Sequence, residues 1–419
     1  MRSYAVLMAV CLLVFLSSRS APAAAPVDAP HYYAIVVGVS QYAGESLHLR
    51  FAATDAGSMA NALKLGATRL FGAEKVNVIL LSTEKGAGII SPTKKNIKQA
   101  FETVTNTATA GDVLVVYFSG HGITLPQGQN LYCFLTSEAR STADLIDPGL
   151  RNITFITSEE LHQWLTKIPA RKQVIILDTC AAGAASENLM ETRDITGDQQ
   201  QAIARLRERE GVHILMGCAA DSRSYETSQY GQGLLTYSLL EGMKGAALRQ
   251  DKFLDISTLF SYAADNVPTL AKNIGGIQRP VCAISPGGSF DIGELTTEDR
   301  QQVKLAELKP MVLRPVLLNP EVIGDPLHLS SALLAKLRDA AQPAEAKPAA
   351  FVFIDTADFP GAITPKGLYT VQGTQVQVTM KLWRDGKVVG DVTATGDTAT
   401  PEKLLDTLVS AIIKELKKK

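Results

Sequence analysis

The sequence predicts an α/β protein: a mostly parallel central sheet covered on both faces, with a smaller C-terminal α/β domain behind it. Three observations lead there. Strand-like runs such as Asp112–Ser119 (DVLVVYFS) and Gln173–Asp178 (QVIILD) are near-continuous in apolar residues, as strands buried on both faces are. These runs alternate with segments of helical periodicity, the order of a parallel sheet built from βαβ units. After residue 295 the composition changes, through a polar stretch at 296–310, into a second set of elements. At ~100–200 residues per domain, 419 residues allow two or three domains. A 46% hydrophobic content and a net charge of −1 exclude disorder of the whole chain. The even balance of 41 basic and 42 acidic residues leaves no electrostatic footprint for nucleic acid. Five scattered cysteines suit neither a disulfide scaffold nor a structural zinc site, so no metal site is expected.

The first segment reads as a processing signal. Arg2, an apolar run over residues 5–16 and the small-residue stretch Ala21-Pro22-Ala23 have the order of a secretory signal peptide, 1–23, cut after Ala23. An uncleaved anchor is the alternative. Export to the periplasm or the extracellular space follows from the first reading. Tyr32–Val39 is a buried strand by its β-branched content. Residues 52–65 place Ala56, Met59, Ala60 and Leu63 at helical spacing. Val76–Leu81 is a second strand. Ser91 and Pro92 read as N-cap and first residue of a helix running to Thr105. Asp112–Ser119 is a third, central strand, Ser158–Leu165 a helix, Gln173–Asp178 a fourth strand and His213–Cys218 a fifth. Leu234–Lys244 is a helix after the glycine-rich YGQG. This unit spans 30–294.

Residues 295–345 read as a linker and the start of the second domain, which occupies 311–419. Its elements are Met311–Leu318, broken by Pro315; a helix at Ser330–Ala340; and strands at Phe351–Ile354, Val371–Trp383 and Lys387–Ala394. Arg384-Asp385-Gly386 makes the hairpin turn between the last two. Thr400 caps and Pro401 starts a closing amphipathic helix to Leu416, with Lys417–Lys419 complementing its dipole.

The chemistry gathers at two strand ends. One is Ser119-Gly120-His121-Gly122 and the other is Asp178-Thr179-Cys180. Ligand sites of open parallel sheets form beyond the carboxyl ends of the strands. An imidazole beside a cysteine favours the thiolate and can later protonate a leaving amine. The backbone N–H groups of Gly122 and Cys180 could hold a developing oxyanion. A single cysteine after a buried strand is usually a small core residue. The pairing of the two motifs on consecutive central strands argues against that here. Cys133 and Cys282, in apolar runs, read as structural, and the other histidines as surface or core residues.

These residues carry a family resemblance. YFSGHG followed by VIILDTCAAG resembles the caspase-like cysteine peptidases of peptidase family C14, and more closely their metacaspase and orthocaspase branch. YYAIVVGVSQY, LRFAATDA, LYCFLTSEA, ITSEEL, GCAADSRSYE and GLLTYSLLEGMKG agree with it, over residues 31–292. The resemblance implies a caspase–haemoglobinase three-layer fold with His121 and Cys180 as a catalytic dyad. It departs at Ala182, which stands where the family has Ser, and at Ala52, which replaces a Cys. Ser158-Glu159 stands where an acidic pair is often found, so a full calcium site is not supported; Glu159 and Glu187 read either as its remnants or as solvated acids. The dyad itself requires no cofactor.

Asp178 lies two residues before Cys180, on the same face if the strand continues. Asp55 matches a second acidic pocket position of metacaspases. Together they imply a pocket for Arg, then Lys, before the cleaved bond. The bland alternative is that Asp178 caps the following loop and Asp55 a helix. The expected function is a cysteine endopeptidase acting on polypeptides, with self-cleavage after an arginine between Ser186 and Gly211. The alternative is a catalytically silent scaffold of the cell envelope. The C-terminal domain resembles small α/β domains of envelope proteins, such as the N-terminal domain of TolB, which implies an envelope protein partner.

Overall fold

The computed structural model describes residues 29–124, 132–145, 147–181, 212–217, 230–273, 278–285, 288–341, 349–359 and 361–418. Residues 1–23, read above as a signal peptide, the stretch Ser186–Gly211 with Glu187, Ala182 and Cys218 lie outside them. In the first unit the elements are, in order, β1 (Tyr32–Gly38), α1 (Ala52–Phe71), β2 (Val76–Ser82), α2 (Lys94–Thr107), β3 (Val113–Thr124), β4 (Tyr132–Leu135), α3 (Pro148–Thr154), β5 (Phe155–Thr157), α4 (Ser158–Lys167), β6 (Lys172–Ala181), β7 (Val212–Met216), α5 (Leu234–Glu241), β8 (Phe253–Asp255), α6 (Ile256–Asn273), β9 (Val281–Ala283), β10 (Asp291–Glu294) and α7 (Thr297–Gln302).

An eight-stranded sheet has the order β2-β1-β3-β6-β7-β9, with β4 beside β3 and β5 beside β4. Strands β2, β1, β3, β6 and β7 are parallel; β9, β4 and β5 pair antiparallel. Alternate residues of the central strands feed two cores. Ile35, Val37, Val116, Phe118, Ile175 and Leu177 pack against α2 and α4 through Phe101, Leu161 and Trp164. Val36, Val115, Ile176 and Leu215 pack against α1, α5 and α6 through Met59, Leu63, Leu239 and Phe260. The three layers follow from this alternation on strands that are apolar on both faces. Leu295 and Val303 belong to the second of these cores, so the chain packs against this unit beyond residue 294. Asp299 pairs with Arg69 of α1 at 3.3 Å across the same seam.

The second unit contains β11 (Met311–Val312), β12 (Val316–Leu318), α8 (Leu329–Ala340), β13 (Val352–Phe353), β14 (Ile363–Gln372), β15 (Gln375–Arg384), β16 (Lys387–Asp397) and α9 (Pro401–Leu416). Its sheet runs β13-β11-β14-β15-β16, with β12 also on β14. Both helices pack on one face, against Val376, Val378, Met380 and Leu382 of β15. The residues between these four are exposed.

The structure departs from the sequence reading at several places. The α2 N-cap is Thr93, whose side chain accepts the Asn96 N–H at 3.2 Å, and not Ser91. The Ser91 and Pro92 carbonyls are engaged instead by the Asn96 side chain and the Ser137 N–H. Val371–Trp383 is not one strand: Gly373, at φ +59°, turns the chain between β14 and β15. Asp385 and Gly386 both have positive φ, as a two-residue hairpin turn requires. Thr400 makes no side-chain cap, although Pro401 does open α9. Cys282 is exposed on β9, whereas Cys133 is buried.

Candidate active site

The two motifs lie within their strands, not after them. β3 runs through the SGHG motif to Thr124 and β6 runs to Ala181, in parallel register. That register sets Ser119 opposite Asp178, His121 opposite Cys180 and Gly122 opposite Ala181. Both neighbours stop earlier: β1 ends with Gly38 opposite Ser119, and β7 with Met216 opposite Leu177. The last residues of β3 and β6 therefore run past β1 and β7, and β4 pairs with β3 only from Gly122 onward.

Where β1 ends, the outward N–H groups of β3 need other partners. The Tyr42 hydroxyl accepts the His121 N–H at 3.0 Å, and the two rings lie 5.3 Å apart. Gly120, at φ +153°, passes close beneath this hydroxyl; a Cβ there would come within 2.9 Å of it and 3.1 Å of the Phe134 ring. Gly122 is also required by packing, because a Cβ would stand 2.6 Å from Tyr132 and 2.9 Å from the Thr179 hydroxyl.

The His121 ring is buried, with 8% exposure. Its Nε2 lies 2.9 Å from the Leu47 carbonyl oxygen. A carbonyl only accepts, so Nε2 carries the hydrogen and Nδ1 the lone pair. Nδ1 is buried with no hydrogen-bond partner among the described residues. Burial lowers the imidazole pKa to about 4, against a smaller opposing effect of the Leu47 carbonyl. The ring is thus a neutral base with an open lone pair. Leu47 is held in a loop tied down by Leu49 N–H to Ser40 O, Ala43 N–H to Ser137 O and Gly44 N–H to Ala139 O.

The two acids meet at the N-terminus of α5. Asp55, in the first turn of α1 and 1% exposed, accepts the Gly233 N–H at 2.9 Å. Asp178 accepts the Thr236 N–H at 3.1 Å and the Thr236 hydroxyl. A Cβ at Gly233 would lie 2.7 Å from Asp178 Oδ2 and 3.1 Å from Asp55 Oδ2, so this glycine separates the carboxylates. Both acids thus cap α5; the loop after β6, which Asp178 was alternatively expected to cap, lies outside the described residues. Two carboxylates at the positive end of a helix partly offset their own desolvation. Burial still raises the Asp178 pKa, with the Thr236 hydrogen bonds acting the other way.

Sequence reasoning missed Tyr42, Leu47, Gly233 and Thr236. Leu47 acts through its main chain, which leaves no trace in residue type. Gly233 had a signal, the YGQG run, without a purpose attached. Elsewhere, Glu160 closes the capping box of α4 and pairs with Lys94 at 2.7 Å. Burial pushes the Cys133 thiol up to about 12, which makes it inert. Among the described residues no cluster of three or more His, Cys, Asp or Glu is placed to hold a metal ion. No helix among them is long and apolar enough to cross a membrane.

A family model for the caspase domain, that of peptidase C14, matches residues 31–289. The chain belongs to this family. Its three-layer architecture and mostly parallel sheet are those of the caspase-like fold. Metacaspase-4 of Arabidopsis thaliana is 30% identical over 162 residues, which are 38% of this chain and 35% of that protein. Metacaspase-6 of the same plant is 29% identical over 192 residues, 44% and 48% of the two chains. The matched part of the caspase domain thus spans a third to a half of the length of these relatives. Caspase-1 from Spodoptera frugiperda superposes with a TM-score of 0.37 at 11% identity, over 63% of this chain and 90% of that one.

Proposed function

We propose that this caspase domain is a cysteine endopeptidase that cleaves polypeptides after Arg, and less well after Lys, using His121 and Cys180. The observation that carries the reading is the neutral, buried His121, whose Nδ1 has no partner among the described residues, directly across the β3–β6 register from Cys180. In the first step His121 Nδ1 takes the Cys180 proton and the thiolate attacks the scissile carbonyl carbon. The N–H groups of Gly122 and Cys180 hold the oxyanion. The imidazolium then gives its proton to the leaving amine, and a thioester links the acyl half to Cys180. Water, deprotonated by His121, hydrolyses that thioester and frees the thiol. None of these steps calls on a metal or cofactor.

Asp55 and Asp178 form the acidic floor of the pocket for the residue before the cleaved bond. A guanidinium can satisfy both carboxylates with forked hydrogen bonds, whereas an ammonium offers a point charge. Residues 1–23 direct export, and the one-sided sheet of the C-terminal unit is a module for an envelope partner. The test is turnover of fluorogenic peptides differing only at the residue before the scissile bond, with Cys180→Ala as control. Equal turnover by that variant removes the cysteine mechanism. Faster cleavage after Asp than after Arg removes the pocket assignment while leaving the dyad intact.

A further inference from the structure

We propose that Thr236 is a positioning residue for specificity, holding the Asp178 carboxylate charged and aimed for a basic side chain, with Tyr117 fixing Thr236 from behind. This inference rests on the reading of Asp55 and Asp178 as the basic-residue pocket. Thr236 is fully buried on the first turn of α5. It gives Asp178 Oδ2 two hydrogen bonds, one from its N–H at 3.1 Å and one from its hydroxyl. That hydroxyl has a single hydrogen, so the Tyr117 hydroxyl, 2.6 Å away, donates to the Thr236 oxygen. A directional chain therefore runs Tyr117 to Thr236 to Asp178. A threonine at this helical position needs no such arrangement for capping, since its own N–H already meets the carboxylate.

The chain has a purpose that packing alone does not supply. Burial opposes the charged form of Asp178, and the hydrogen bonds from Thr236 act the other way. Among the described residues the titratable groups facing it are Asp55 from α1 and Tyr117 from β3, neither of them cationic at neutral pH. No basic side chain among the described residues pairs with Asp178, and it is one arriving with the substrate that would do so. Its other oxygen, Oδ1, lies 3.5 Å from where a Cβ at Gly217 would stand, so a glycine borders that oxygen as another borders Oδ2. The neutral relay thus favours the charged form of Asp178 against its burial, and glycines border both of its oxygens.

The experiment follows KM from pH 5 to 8 for paired peptides with Arg or Leu before the scissile bond, in wild type, Thr236→Val, Thr236→Ser and Tyr117→Phe. A hydrogen bond to a charged group is worth about one to two pH units in the midpoint of ionisation. Thr236→Val is expected to move the acid rise of KM for the Arg peptide upward by about that amount, with kcat little affected and no shift for the Leu peptide. Thr236→Ser, which keeps the hydroxyl, restores the wild-type midpoint. Tyr117→Phe gives a smaller shift in the same direction and decides the matter if Thr236→Val does not fold. Arg preference in the wild type with midpoints unmoved in Thr236→Val, or in Tyr117→Phe where that decides, overturns this inference alone. No Arg preference in the wild type overturns the pocket reading and this inference with it.

Discussion

Burying His121 as a neutral ring makes stability depend on pH in a calculable way. The unfolded chain has an ordinary histidine pKa near 6.5, whereas the folded ring titrates at about 4. Between those values the unfolded state binds a proton that the folded state does not. Stability contributed by the neutral ring is therefore fully present above pH 6.5 and is lost as pH falls toward 4. The displacement amounts to about 3 kcal/mol, since one pKa unit is ~1.4 kcal/mol. His121→Gln removes the titrating group. The two tryptophans are Trp164 and Trp383, and Trp164 packs against Phe101 in a core of the caspase domain. A Trp383→Phe, Cys180→Ala background therefore gives a fluorescence signal from this domain, without self-cleavage. Urea unfolding would be followed with and without His121→Gln from pH 8 to pH 4. The stability difference, parent minus His121→Gln, should fall by about 3 kcal/mol over that range. His213, whose pKa burial also lowers, is common to both proteins and cancels. Parallel pH profiles would refute the neutral buried ring.

Other outcomes are expected. Cys180→Ala and His121→Ala should each reduce peptidase activity to background with the fold retained by circular dichroism, while Cys218→Ala keeps most of it. Asp178→Asn should lower kcat/KM for Arg peptides by about tenfold to a hundredfold, the worth of one charged hydrogen-bonded contact, and affect neutral peptides less; an equal loss on both would point to a structural role. Intact mass of the active enzyme should show a cut after an arginine between Ser186 and Gly211 that Cys180→Ala lacks. An uncut, fully active enzyme would remove self-cleavage as a requirement.

The central strands were legible because burial on both faces leaves no polar alternation. β1, β3 and β6 stand out as apolar runs for that reason. Their ends were not legible. Gly120, His121 and Gly122 look like a loop by composition, yet pairing with β4 and β6 extends β3 through them. α6 escaped notice because Pro268 interrupts an otherwise helical period. In the C-terminal unit the β14–β15 turn was hidden inside a run of good strand formers, with only Gly373 to mark it. At the site, His121 and Cys180 announced themselves by chemistry, and Asp55 by resemblance. The convergence of Asp55 and Asp178, which are 123 residues apart, depends on how α5 seats between α1 and β6, and tertiary placement of that kind has no local signature.

The site residues share a physical origin in unfinished backbone. A strand that outruns its neighbour and a helix that begins inside a protein both present N–H groups with no main-chain acceptor. Here the His121 N–H is taken by Tyr42, and the Gly233 and Thr236 N–H groups by Asp55 and Asp178. Each acceptor is a side chain from another element, so each repair also fixes something chemical: the first holds the main chain of His121, and the others bring two acids to one point. Leaving a buried N–H unpaired costs about 1–3 kcal/mol, which is enough to disfavour rotamers that would scatter these groups. The same hydrogen bonds that complete the fold thus pre-organise the base and the acidic floor. Tyr42→Phe, which takes the acceptor from the His121 N–H, should therefore disturb local order and function together, whereas exposed positions on β16 such as Thr393 should tolerate change in both.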